Sequence, residues 1–187
     1  VVLAALLALA APAAAQTREP ESLWRALASG GHVALMRHAQ TVPGTGDPPN
    51  FRLGDCSTQR NLGDDGRAQA RRFGAEWRRR GLPAPAILTS EWCRGVETGR
   101  EFGLGSVETE PAALNSFFQD GAARDGSTRA LRALLDRLPR DVRPVILVTH
   151  QVNVTAATGI FPAQGETVVL RLEPGGGFTV AGRLPPP

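Results

Sequence analysis

Three apolar runs, residues 33–36, 86–89 and 145–149, the last two closed by a threonine, constrain the fold of this chain more than any other feature. Continuous rather than alternating apolar character belongs to strands buried on both faces of a parallel sheet. The last run, Val-Ile-Leu-Val-Thr, is the strongest strand signal. Helical periodicity fills the intervals. Residues 21–29 place Leu23, Trp24 and Leu27 on one face, after Pro20 and before Gly30-Gly31. In residues 64–80, Ala70, Phe73, Gly74 and Trp77 follow the i, i+3, i+4, i+7 spacing, with Asp64 or Asp65 as the cap. Ser90 is placed to cap a helix through Phe102. Ser127 is placed to cap another, in which Leu131, Leu134, Leu135 and Leu138 form one stripe. A weaker strand at 106–109, a helix at 153–158, and a hairpin of 168–172 with 178–180 around Gly175-Gly176-Gly177 complete the pattern. Strands alternating with helices predict a three-layer α/β/α sandwich with a mainly parallel central sheet.

Composition narrows the function classes. All 21 basic residues are Arg, interleaved with Asp and Glu to a net charge of +3. The densest basic stretch, Arg71, Arg72, Arg78, Arg79 and Arg80, has no aromatic stacking platform beside it, so nucleic acid is not an expected partner. Three His and two Cys without close ligand spacing fall short of a metal set, and no cofactor is expected. Residues 1–15 read as a signal peptide truncated at its start. Residues 1–11 are apolar, Ala13-Ala14-Ala15 offers a cleavage site, and the initiator Met and basic n-region are missing. The run is too short for a stable membrane span. The expectation is a periplasmic or secreted protein with one domain over 16–187; oligomeric state has no signal in the sequence. In an oxidising compartment Cys56 and Cys93 would pair if the fold brings them together. That closure contributes about 4 kcal/mol in the chain-entropy view.

The chemistry gathers at the strand ends. Ligands of open α/β sheets bind outside the carboxyl edge. Arg37 and His38 leave the first run there, Ser90 to Arg94 follow the second, and His150 follows Thr149. Two guanidinium forks suit the oxygens of a phosphomonoester, and a neutral imidazole can attack phosphorus. Thr41 and Thr98 stand either as phosphate contacts or as structural caps. Arg60, in the long Gly- and Pro-rich stretch of residues 41–63, stands either as a contact for substrate anions or as a solvated loop residue. His32 precedes its strand and reads as structural.

Leu35-Met36-Arg37-His38-Ala39-Gln40-Thr41 resembles the Arg-His-Gly signature of the histidine phosphatase superfamily, with Ala39 in place of Gly. Residues 89–98, with Ser90, Arg94 and Thr98, resemble its second-arginine motif. Val148-Thr149-His150-Gln151 resembles its second-histidine motif, and Leu62, Gly66, Gln69 and Ala70 match the helix after the first motif. The resemblance implies a phosphoglycerate mutase-like fold and a hydrolase in which His38 becomes phosphohistidine. Arg37, Arg94 and His150 would surround the phosphoryl oxygens. Gln151 after His150, where phytases and acid phosphatases carry Asp, points to the branch of mutases and small phosphatases. That branch uses a Glu as proton donor. Residues 112–120 contain none, leaving Asp120, with Glu110 behind it, as the candidate acid. The stretch Asp55 to Leu62 resembles exported bacterial members, some related to lipopolysaccharide-core phosphatases, which implies an envelope sugar phosphate as substrate. The alternatives are a phosphohistidine or phosphoprotein phosphatase, and a phosphate-binding module without turnover.

Overall fold

Strands β1 (His32–Arg37), β2 (Ala86–Thr89), β3 (Val107–Thr109), β4 (Val145–Thr149), β5 (Thr167–Leu172) and β6 (Phe178–Leu184) form one sheet ordered β3-β2-β4-β1-β5-β6. The computed structural model describes residues 19–141 and 143–187, so the signal-peptide reading of residues 1–15 lies outside it. The pairs β3–β2, β2–β4 and β4–β1 are parallel, and β5 and β6 add an antiparallel edge. β4 runs between β1 and β2, flanked on both sides, which is why it reads as the most continuously apolar run.

Alternate residues of each central strand face opposite layers. Ala34, Met36, Ile146 and Val148 pack with Leu23, Leu27, Phe73, Trp77 and Phe102. These come from α1 (Pro20–Ala28), α2 (Asp64–Arg79) and the end of α3 (Cys93–Glu101). Val33, Leu35, Val145 and Leu147 pack on the other side with Leu114, Leu131, Leu134, Leu135 and Val154. Those belong to α4 (Pro111–Leu114), α5 (Arg124–Arg137) and α6 (Gln151–Thr158). The expected three layers are therefore present. Among the described residues, no helix is long and apolar enough to cross a membrane.

Three cap assignments change. Gly63, not an aspartate, is the N-cap of α2; Asp64 and Asp65 sit in its first turn, where their charge opposes the positive end of the helix dipole. Helix α5 begins before Ser127, after a 3₁₀ turn at Gly121–Ala123 capped by Asp120. Helix α3 begins after Trp92, and the Ser90 hydroxyl bonds a histidine rather than the helix end. Helix α4 is a single turn started by Pro111, too short to show a period.

Candidate active site

The parallel strands set the base of the site. Arg37 ends β1, and the His38 amide donates to Thr149 O at 2.9 Å, so the first motif is tied to the end of β4. His150 follows Thr149 and starts α6. Its ring lies 5.3 Å from that of His38, centroid to centroid. Arg94 sits in the first turn of α3. Tight packing holds this frame: a Cβ on Gly66 would lie 1.8 Å from Gln40 O, and one on Gly95 would lie 2.4 Å from Ser90 Oγ. The close approach at Gly66 lets α2 present Gln69, which accepts from the Gln40 amide at 3.0 Å and donates to Gln164 O at 3.1 Å. Motif positions in that helix thus have a structural reason.

The protonation state of His38 follows from its contacts. Nδ1 lies 2.8 Å from Ala39 O, and a carbonyl only accepts, so Nδ1 carries the proton. That tautomer leaves the Nε2 lone pair free. Burial holds the His38 imidazole well below its usual pKa, reinforced by the positive charge of Arg94 and, more weakly, of Arg37 and Arg60. Burial and then Arg94 act the same way on His150, whose Nε2 meets Ser90 Oγ at 2.9 Å. Both rings are neutral near pH 7.

Arg37, His38, Thr41, Arg60, Arg94 and His150 all line one cavity of about 550 Å³. Arg37 Nη1 donates to Pro162 O at 2.9 Å, while Arg94 lies 4.5 Å from the Trp92 ring in a cation–π contact. The Nε atoms of Arg37, Arg60 and Arg94 are buried without a protein partner. Such donors are costly to leave unsatisfied, and an oxyanion is the natural partner for them. Thr41 Oγ1 accepts from Arg60 Nη1 at 2.7 Å and from Gln164 Nε2 at 3.1 Å, so its own proton remains available to a ligand.

Two expected contacts fall elsewhere. Thr98 is buried away from the cavity; its hydroxyl donates to Arg94 O at 2.6 Å and accepts from the Ala39 amide at 3.0 Å. With its one proton spent, Thr98 is a strut between the two arginine motifs. Asp120 is exposed, caps its 3₁₀ turn by accepting from the Ala122 amide, and does not line the cavity. Glu110 does not line it either.

The carboxylate in the cavity is Asp47, which no sequence signal marked. Its Oδ1 accepts from Arg94 Nη1 and from the Arg60 amide, both at 2.9 Å, and both ion-pair side chains are buried. Residues 41–63 bring it there as a folded-back wall. A bridge between Thr41 and Leu62 closes the ends of the loop. Cys56 and Cys93 form a disulfide, and the Cys93 amide donates to Gln59 Oε1 at 3.0 Å, so the wall is fastened beside Arg94. Among the described residues, no group of three or more His, Cys, Asp or Glu is arranged to hold a metal ion.

The architecture is that of the histidine phosphatase, phosphoglycerate mutase-like fold. The protein histidine phosphatase SixA in complex with tungstate superposes with a TM-score of 0.62 at 19% identity, covering 83% of this chain and 97% of that one. A mycobacterial glucosyl-3-phosphoglycerate phosphatase in complex with VO3 gives 0.56 at 16% identity, over 80% and 96% of the two chains. Phosphoserine phosphatase of Entamoeba histolytica in complex with phosphoserine gives 0.59 at 11% identity, over 81% and 95%. At such identities the likeness establishes the fold. No protein-family model matches the chain. No curated protein matches it.

Proposed function

We propose that this protein is a phosphatase that hydrolyses a phosphomonoester through a covalent phosphohistidine on His38, without a metal or cofactor. The observation that carries the reading is the His38 ring: neutral, with Nδ1 committed to Ala39 O and Nε2 free, in a cavity lined by Arg37 and Arg94. In the first step Nε2 forms the N–P bond as the P–O bond to the leaving group breaks. The guanidiniums stabilise the phosphoryl charge, as positioning and electrostatics do in phosphoryl transfer generally.

Asp47 is the proposed acid, replacing Asp120. Among the described residues its carboxyl is the one that lines the cavity, against Arg94, and it gives its proton to the leaving oxygen as the P–O bond breaks. In the second step water attacks phosphorus, the N–P bond breaks, and Asp47 takes up the proton from water.

An envelope sugar phosphate is the proposed substrate, supported by the resemblance of residues 55–62 to exported members. Periplasmic or secreted location is supported by the apolar leader and by the disulfide. The likeness to SixA favours a second reading, a phosphohistidine or phosphoprotein phosphatase. Its P–N leaving group needs less help from an acid.

Single-turnover labelling with a generic phosphate ester tests the proposal. The wild type forms an acid-labile phosphoenzyme and His38→Ala does not. No label and no hydrolysis in the wild type, with phosphate still bound, would instead make this a binding module.

A further inference from the structure

The cavity is far larger than the phosphoryl seat, and its remainder has a distinct chemistry. A volume near 550 Å³ falls in the range that encloses a whole small ligand. Every ionisable lining residue belongs to the seat: Arg37, Arg60, Arg94 and Asp47, with the neutral rings His38 and His150. Beyond these residues no lining side chain is ionisable, so a second anion on the substrate would meet no cation along the rest of the wall.

Beyond the seat, the wall is uncharged. Phe118 and Phe161 are 58% and 69% exposed at its mouth, a large solvent exposure for aromatic rings that line a concave site. The Phe118 ring leans on the loop that carries Asp47, its Cε1 lying 3.7 Å from where a Cβ on Gly46 would be. Gln119 and Gln151 stand among the lining residues with amide groups that read hydroxyls or carbonyls. Exposed aromatic faces beside neutral hydrogen-bonding groups match a ligand with an apolar face and uncharged polar edges.

We infer that this site selects phosphomonoesters whose leaving group is uncharged and has an apolar face, gripped by Phe118 and Phe161, and discriminates against leaving groups carrying a carboxylate. The inference rests on the proposed phosphatase reading for its substrate, but concerns recognition rather than turnover. It disfavours phosphorylated carboxylic acids such as the phosphoserine bound by the Entamoeba histolytica phosphatase.

The test is calorimetric binding to the His38→Ala variant, which removes turnover from the measurement. Phenyl phosphate and 3-carboxyphenyl phosphate are the probes, with inorganic phosphate as the control for an intact seat. Phenyl phosphate is expected to bind about tenfold more tightly than the carboxylated ester, and Phe118→Ala/Phe161→Ala to lose about tenfold for phenyl phosphate while keeping inorganic phosphate. Equal or tighter binding of the carboxylated ester overturns the inference, as does an aromatic double variant with unchanged preference. Wild-type labelling reports separately on the phosphatase reading, so either can fail alone.

Discussion

The base of the site and its wall are built by different means. Arg37, His38 and His150 hang from β1 and β4, whose ladder fixes them to within the precision of a sheet. Asp47 and Arg60 arrive on a loop whose regular structure is one 3₁₀ turn, Cys56–Thr58, and isolated bridges, held by side-chain bonds and one disulfide. The base therefore resists displacement, whereas the wall depends on a few clasps. In the proposed mechanism the base does the work common to all substrates, and the wall serves the leaving group.

Substitutions in the base should be the most damaging and indifferent to the ester used. His38→Ala should abolish the phosphoenzyme, with turnover down about 10⁴-fold or more, as for loss of a nucleophile elsewhere. Arg94→Ala should cost about 10³-fold, the scale of losing one oxyanion-stabilising group. Steady-state rates on alkyl and nitrophenyl esters check both. Asp47→Asn should separate wall from base. On alkyl esters it should lose about 10²-fold, the low end for general acid catalysis, and on nitrophenyl phosphate almost nothing. A uniform loss on both esters would erase the distinction.

Smaller effects concern the clasps. Cys56→Ser/Cys93→Ser, or reduction of the bridge, removes about 3–4 kcal/mol of loop closure and should lower Tm by about 10 °C in a thermal melt. Phosphate binding should fall less, because the base survives. The last expectation is pH-dependent. His38 and His150 are held well below the usual value of 6.5, so the unfolded chain binds more protons between the folded and unfolded pKa values. Unfolding free energy should therefore be level above pH 6.5 and fall as pH drops below it. Denaturant melts from pH 8 to 5 read this directly; a flat profile would mean that the rings titrate in the fold as they do in the unfolded chain.

The base was also the part written most openly in the sequence. Runs 33–36, 86–88 and 145–148 are apolar throughout because both sheet faces are covered, and Arg37 with His38, Ser90 to Arg94, and His150 follow their strands at the same sheet edge. Local capping preferences failed where tertiary contacts outbid them. Ser90 has the chemistry of an N-cap, but its hydroxyl is taken by His150, sixty positions away in the chain. Thr98 reads equally as a phosphate contact or a structural cap in the sequence, and its bonds to the Ala39 amide and the Arg94 carbonyl decide for the structural role. Asp47 was illegible for a different reason. It lies among Gly44, Gly46 and Pro48, where no period indicates direction, and its partner Arg94 is brought to it by the path of the loop. The disulfide was readable as a possibility from compartment chemistry, and only the fold decides that the two sulfurs meet.

The place of β4 between β1 and β2 has a bearing on how the protein comes into being. Until residues 145–149 enter the sheet, the strands that deliver His38 and Arg94 have no common neighbour and no bonds to each other. The insertion that joins them also supplies His150. Non-local pairing of this kind comes late and slowly in folding. A chain still emerging, or clipped ahead of β4, would thus hold its nucleophile and its anion clamp apart, and phosphate affinity would serve as a reporter of the finished sheet.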